Sequence, residues 1–127
     1  MDAEAKVKKY AGQSRHYLLD ASKFIDSGDS EKASEFLWGS MAQALKAVAA
    51  SNDIHLGNHR RIWDYAESLT KELEDKSIYD AFIQANYLHT NFYESELELK
   101  NVRRIAEDIR IAIGRLLSLV PEESEET

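Results

Sequence analysis

The sequence is poor in residues that cross-link or interrupt a chain. Its 127 residues include no cysteine, one proline and five glycines. The lack of cysteine excludes disulfides, thiolate metal sites and thiol nucleophiles, and it is typical of a reducing compartment. The only proline, Pro121, follows the last apolar segment, so no proline interrupts the segments before it. This scarcity of helix breakers favours long helices.

Long apolar runs are also missing, whereas a membrane helix needs about 18 consecutive apolar residues. The most apolar stretch, residues 109–120, is interrupted by Arg110 and Arg115. The N-terminal residues are charged from Asp2 onwards and are not followed by the apolar segment of a secretory signal. We therefore expect a cytoplasmic protein without a membrane segment.

Positive charge is in the minority, because the formal net charge at pH 7 is −7. This balance argues against broad non-specific binding to nucleic acid, which depends on neutralising phosphates, but it is compatible with a local basic patch. Residues 122–126 hold four of the acidic side chains. We expect residues 121–127 to form a disordered acidic tail and residues 1–120 to form a single helical bundle domain.

The chain is rich in apolar residues that recur at spacings of three and four, the pattern of amphipathic helices. Gly28 is expected to end the first helix in a left-handed conformation, and Asn58 to cap the third. Ser95 and Glu98 fit a capping box at the start of the last helix. The sequence predicts an all-α fold, a single antiparallel bundle of about five helices.

A basic segment at the start of the third helix is the first candidate site. It consists of Asn58, His59, Arg60 and Arg61. Cations at this position oppose the helix dipole, but together with free backbone N–H groups they can hold an anion such as a phosphate. The alternative is that Arg60 pairs with Asp64, four residues on, and that Arg61 is simply exposed.

A second basic pair, Arg103 and Arg104, lies in the last helix. Glu107 and Asp108 follow them four residues later, so salt bridges within the helix account for this pair. The anion site would be strengthened if the two basic pairs lay on the same face of the bundle.

His89 lies on the apolar stripe of the fourth helix and is close in sequence to Asn91 and Tyr93. A half-buried structural histidine is one interpretation, and a second functional cluster of these three residues is the other. No metal site is predicted, because His55 and His59 are separated by the helix-breaking Gly57 and no zinc-helix motif occurs. The sequence also contains no catalytic constellation and no cofactor motif.

Trp38 follows Leu37 on the second helix and should therefore flank the core. If Trp38 and Trp63 lie outside the main apolar stripes, they mark a surface for self-association. Core packing is the alternative for both rings.

Three motifs resemble those of the PaREP family of small, mostly archaeal proteins. The first covers residues 28–47 and resembles the family signature G-D-x-x-x-A-x-x-x-x-W with a later A-x-K-A. The second and third are residues 59–63, HRRIW, and residues 88–94, LHTNFYE. The resemblance extends over about residues 1–120.

The PaREP family resembles a branch of the HEPN superfamily of helical bundles. That resemblance implies a HEPN-like bundle, a homodimer and, in many members, a ribonuclease or toxin–antitoxin role. The ribonuclease motif, an arginine followed four to six residues later by a histidine, does not occur here, because each of the four histidines lacks such an arginine. The sequence therefore favours a non-catalytic, self-associating module that binds a protein partner or a nucleotide-like or nucleic-acid-like anion. A divergent ribonuclease and a purely structural dimer are the alternatives.

Overall fold

The computed structural model describes residues 2–91 and 98–121. These residues form no strand and five α-helices, which are α1 (Ala3–Asp26), α2 (Ser30–Ser51), α3 (His59–Leu73), α4 (Lys76–Asn91) and α5 (Leu99–Leu117). The prediction of an all-α bundle of about five helices is confirmed. The expectation of a disordered tail concerns residues that, apart from Pro121, lie outside the described range.

Local signals in the sequence set the ends of the first three helices. Asp2, Asp29 and Asn58 lie at the N-cap positions of α1, α2 and α3. Each side chain accepts a hydrogen bond of 2.8–3.0 Å from the backbone N–H three residues on. Gly28 has a φ of +85° and ends the turn after α1, so the predictions for Asn58 and Gly28 are confirmed. Glu74 ends α3 with a φ of 53°, a left-handed conformation that its residue type did not suggest.

Helix α2 is the centre of the bundle and contacts all four other helices. Leu37, Met41 and Leu45 are fully buried along its length, and most of the residues between Ala42 and Ala50 are buried as well. Many of these residues are alanines, whose small side chains let neighbouring helices approach α2 closely. Phe36 and Trp38 on α2 are partly buried and pack against the edge of the core.

The contact between α1 and α2 is the most extensive in the bundle. The Ser14 hydroxyl on α1 donates a buried hydrogen bond of 2.8 Å to the carbonyl oxygen of Ser40 on α2. Nearby, the Tyr17 ring lies over Gly39, where a Cβ atom would come within 3.1 Å of the ring. Small residues and one paired hydroxyl therefore let these two helices pack closely.

The start of α5 differs from the sequence prediction. The helix begins at Leu99 with Glu98 at its N-cap, and the Glu98 side chain forms no capping hydrogen bond. Ser95, the other half of the predicted capping box, lies outside the described residues. Arg103 pairs with Asp26 at the end of α1, with a nitrogen–oxygen distance of 3.9 Å.

The predicted salt bridges within α5 are therefore wrong for Arg103, which pairs with another helix, and Glu107 pairs with Arg110 instead. Over the described residues α3 and α5 are not in contact. The basic pair of α3 and that of α5 thus lie on separate helices that do not touch. No helix of residues 2–91 and 98–121 is long and apolar enough to cross a membrane.

Candidate functional site

Five rings from three helices meet at one edge of the bundle. They belong to Trp38 on α2, His59 and Trp63 on α3, and Phe82 and His89 on α4, and we refer to them as the ring cluster. The cluster joins two candidate sites of the sequence analysis, the start of α3 and the end of α4. It also contains the two tryptophans that were considered as interface residues.

Helical periodicity places the two rings of α3 on one face of that helix, and the two rings of α4 on one face of theirs. His59 and Trp63 are four residues apart and therefore lie on one face of α3. Phe82 and His89 are seven residues, or about two turns, apart on α4. Trp38 lies next to the fully buried Leu37, so its ring reaches from the edge of the core towards both of these faces.

The two imidazoles lie side by side against Trp38. The ring centroids are 5.2 Å apart for Trp38 and His59, 5.0 Å for Trp38 and His89, and 6.5 Å for the two histidines. If the imidazoles lay on opposite faces of the indole, their separation would approach the sum of the other two distances. The measured value is much smaller, so both rings occupy neighbouring positions on one side, with planes only 21° apart.

The cluster changes from buried to exposed across its depth. Phe82 is fully buried and lies beneath the other rings. It contacts Trp63 edge to face, with an angle of 86° between the two ring planes. Trp38 and Trp63 are half-buried, while His59 and His89 are exposed. Both histidines are thus accessible to a ligand, and packed aromatic rings lie beneath them.

The pKa of His89 is lowered from its ordinary value. Partial burial is the main cause, the neighbouring His59 acts in the same direction, and the carboxylate of Glu35 on α2 opposes both. His89 is therefore neutral at pH 7 and offers both a donor and an acceptor nitrogen.

The basic segment at the start of α3 does not act as one unit. Asn58 caps the helix and accepts a hydrogen bond from the Arg61 N–H at 2.9 Å. Arg60 pairs with Asp64 at 3.3 Å, which is the simpler of the two interpretations of that residue. Arg61 follows His59 by two residues, a rotation of about 200° around the helix, so it points away from the ring cluster.

The second predicted cluster is only partly within the described residues. His89 belongs to the ring cluster, but the side chain of Asn91 and the whole of Tyr93 lie outside the described part of the chain. His89 is also more exposed than the half-buried position expected from the apolar stripe, because Leu88 occupies the buried position beside it.

Trp38 and Trp63, the interface candidates, are half-buried and lie in contact with other rings of the cluster. The large apolar side chains that are most exposed in the described residues lie elsewhere, with Leu19 on α1 at 64% and Ile111 on α5 at 56%.

Sequence reasoning singled out four of the five cluster residues but not their association, and it missed Phe82 and Glu35. The shared spacing of His59 with Trp63 and of Phe82 with His89 was a signal in the sequence. Within the described residues no group of three histidine or carboxylate side chains could hold a metal ion.

The fold is shared with a solved protein. The crystal structure of a protein from Sulfolobus solfataricus is similar to this chain with a TM-score of 0.75 and 20% sequence identity. The match covers 84% of this chain and 95% of that chain. At this level of identity the similarity concerns the helical bundle alone.

The chain belongs to the archaeal PaREP1/PaREP8 family, whose model matches residues 9–113. The matched region includes all five residues of the ring cluster. Among curated proteins none matches the chain. The family resemblance predicted from the sequence motifs is therefore confirmed.

Proposed function

We propose that the protein is a binding module and that its ring cluster binds a phosphate-bearing aromatic ligand, either a nucleotide or a short single-stranded nucleic acid. The observation that carries this proposal is the pair of exposed imidazoles, held side by side against an indole. Imidazole N–H groups donate to phosphate oxygens, and the exposed imidazole rings, backed by an indole, are aromatic surfaces on which a base can stack.

The start of α3 supports the phosphate part of the proposal. Asn58 accepts a hydrogen bond from the Arg61 N–H, and the earlier N–H groups of the first turn have no acceptor within the helix. These donors and the positive end of the helix dipole lie beside His59. A phosphate in front of the two imidazoles is therefore attracted by neutral donors even when both rings are uncharged.

The half-buried indoles support the aromatic part. Stacking of a base on an aromatic side chain contributes about 1–3 kcal/mol and tolerates any base. Trp38 and Trp63 are held by Phe82 beneath them, with centroid distances of 5.7 Å and 5.2 Å. Little ordering of these rings is needed on binding, which favours affinity for a small ligand.

The overall charge limits the size of the ligand. The net charge of −7 disfavours binding of a long phosphate backbone, and Arg60, next to the cluster in sequence, is already paired with Asp64. A mononucleotide or a segment of a few nucleotides fits this balance better than a duplex does.

Self-association or a protein partner is the second part of the proposal. Leu19 and Ile111 are the most exposed large apolar side chains of the described residues, so they are the positions at which an apolar contact surface is to be tested. The same proposal includes that the protein forms a HEPN-like homodimer and that it is located in the cytoplasm. Light scattering of the purified protein over a range of concentrations tests the dimer, and Trp38→Ala and Ile111→Ser distinguish the two candidate surfaces.

Thermal unfolding in the presence of AMP, a short oligonucleotide or inorganic phosphate tests ligand binding. A ligand at about 100 times its dissociation constant adds about 2.7 kcal/mol of stability, which is several degrees for a chain of this size. We expect the shift to disappear in His59→Gln and His89→Gln. It should persist in His16→Gln, because this exposed histidine lies on α1 and pairs with Asp20. The same shift in all three variants would place the ligand elsewhere.

Cleavage of RNA is a second candidate function, favoured by the presence of two imidazoles within 6.5 Å of each other. The neutral His89 would accept the proton of a ribose 2′-hydroxyl as its oxygen attacks the phosphorus. A protonated His59 would give a proton to the departing 5′-oxygen, leaving a 2′,3′-cyclic phosphate and a free 5′-hydroxyl. Loss of cleavage in either histidine variant, together with resistance of a 2′-deoxy substrate, would identify this reaction. If RNA binds but is not cleaved, the protein is a binding module without this ribonuclease activity.

A further inference from the structure

We propose that His59 and His89 bind a doubly charged oxyanion, such as a terminal phosphate, as a protonated pair, so that binding takes up protons from solution. This inference rests on the proposed function and adds to it the class of anion and a dependence on pH. It concerns only the two imidazoles and the charged groups that act on them.

The geometry lets both rings reach one anion. Their centroids are 6.5 Å apart, their planes differ by 21°, and both side chains are exposed on the same side of Trp38. A charge-assisted hydrogen bond is about 2.8 Å long, and one such bond from each ring can reach different oxygens of a single phosphate group. The indole behind the rings keeps both from turning away.

Without an anion, protonation of both rings is unfavourable. Among the described residues, the charged groups that act on His89 are His59 from α3 and Glu35 from α2. The imidazolium of His59 repels a second positive charge on His89, and partial burial of His89 opposes that charge further. An anion in front of the pair removes the repulsion, so that binding and protonation favour each other.

Two protonated imidazoles favour a dianion over a phosphodiester. Arg60 is paired with Asp64, Arg61 points away from the cluster, and Glu35 contributes one negative charge. The two imidazoles are therefore the cations available to the ligand. Their two charge-assisted N–H donors can each bind a separate charged oxygen of a dianion, and Glu35 supports protonation of His89. A diester carries one negative charge and needs only one of these protons.

Sulfate is the probe that tests this inference, because it remains a dianion between pH 8 and pH 6, so that any protons taken up are bound by the protein. We expect the affinity of the full chain for sulfate to rise at least about tenfold from pH 8 to pH 6, since the ordinary histidine pKa is about 6.5. Nuclear magnetic resonance of the imidazole rings should show that the pKa values of both His59 and His89 rise when sulfate is saturating.

A dinucleoside monophosphate is the matched monoanionic probe, and its affinity should change less with pH. His59→Gln and His89→Gln should each lose most of the pH dependence, while His16→Gln keeps it. If either variant fails to fold, the ring titrations of the unmodified protein decide the question without it.

The outcomes separate this inference from the proposed function. Binding of AMP or sulfate with equal affinity at pH 8 and pH 6, and with unchanged imidazole pKa values, overturns the proton-coupled pair and leaves the binding module standing. Absence of binding of AMP, sulfate and the dinucleoside monophosphate at every pH overturns both. Proton uptake by the two rings on sulfate binding supports both.

Discussion

The α1–α2 contact and the ring cluster are built on opposite principles. Between α1 and α2, small residues bring the helices close, and the buried Ser14 hydroxyl is paired with a backbone oxygen at 2.8 Å. In the ring cluster, large rings from three helices pack against one another at one edge, and His59 and His89 are exposed to solvent. In the first region a polar group forms a buried hydrogen bond that specifies packing, whereas in the second the two imidazoles form no hydrogen bond within the described residues.

The largest effect should come from the centre of the bundle. Leu37→Ala removes a fully buried side chain next to Trp38, and we expect a loss of about 3 kcal/mol in the free energy of unfolding. Urea unfolding measures this loss. The comparison predicts that ligand-induced stabilisation, measured well below the melting temperature, survives the substitution. Its disappearance would show that the cluster depends on the packing of α2 more closely than we infer.

Removal of the buried hydroxyl should have an intermediate effect. Ser14→Ala deletes the hydrogen bond to Ser40, and we expect a loss of about 1 kcal/mol in the free energy of unfolding. Ser22→Ala on the exposed side of α1 is the matched control and should change stability little. Equal values for the two variants would contradict a structural role for the buried pair.

Removal of an exposed imidazole should have a small effect on stability. His59→Gln and His89→Gln delete exposed side chains that form no hydrogen bond within the described residues, and we expect changes within about 0.5 kcal/mol. Urea unfolding of both variants beside the wild type provides the measurement. A loss as large as that of Ser14→Ala would mean that the imidazoles serve the fold, and the contrast between the two regions would fail.

The smallest effect concerns pH. Burial and His59 hold the pKa of His89 below its ordinary value of about 6.5. At pH values between about 6.5 and the lower pKa of His89 in the folded protein, the unfolded chain binds more protons than the folded protein does. The free energy of unfolding therefore falls as the pH drops through this range.

Urea unfolding at pH 7.5 and pH 5.5 measures this dependence. We expect the wild type to lose more stability than His89→Gln, and His16→Gln to behave as the wild type does. An identical loss in His89→Gln would refute the contribution of this ring.

Much of the fold could be predicted from the sequence because its signals are local. The cap at Asn58 and the turn at Gly28 depend on residues within one helical turn, and both were predicted correctly. The partner of Arg103 was not, because Asp26 lies on another helix. Exposed ion pairs contribute so little energy that sequence spacing alone does not select the partner.

The candidate site was predictable only in pieces. His59 and His89 were each singled out, but their association depends on α3 and α4 both lying beside Trp38, and neither helix carries that information in its own pattern. The buried Phe82 beneath them reads from the sequence as an ordinary core residue, so its role in holding the indoles emerges only from the packed structure.

Helix α3 contacts only α2 and α4 in the described residues, and both contacts are far less extensive than the one between α1 and α2. It can therefore open with less loss of buried surface than α2, and its backbone amides should exchange with solvent deuterium sooner than those of the central helix. His59 and Trp63 move with α3 when this helix opens. A molecule bound between them and His89 would therefore oppose the opening. Slower deuterium uptake along α3 alone would then identify the ring cluster as the occupied site.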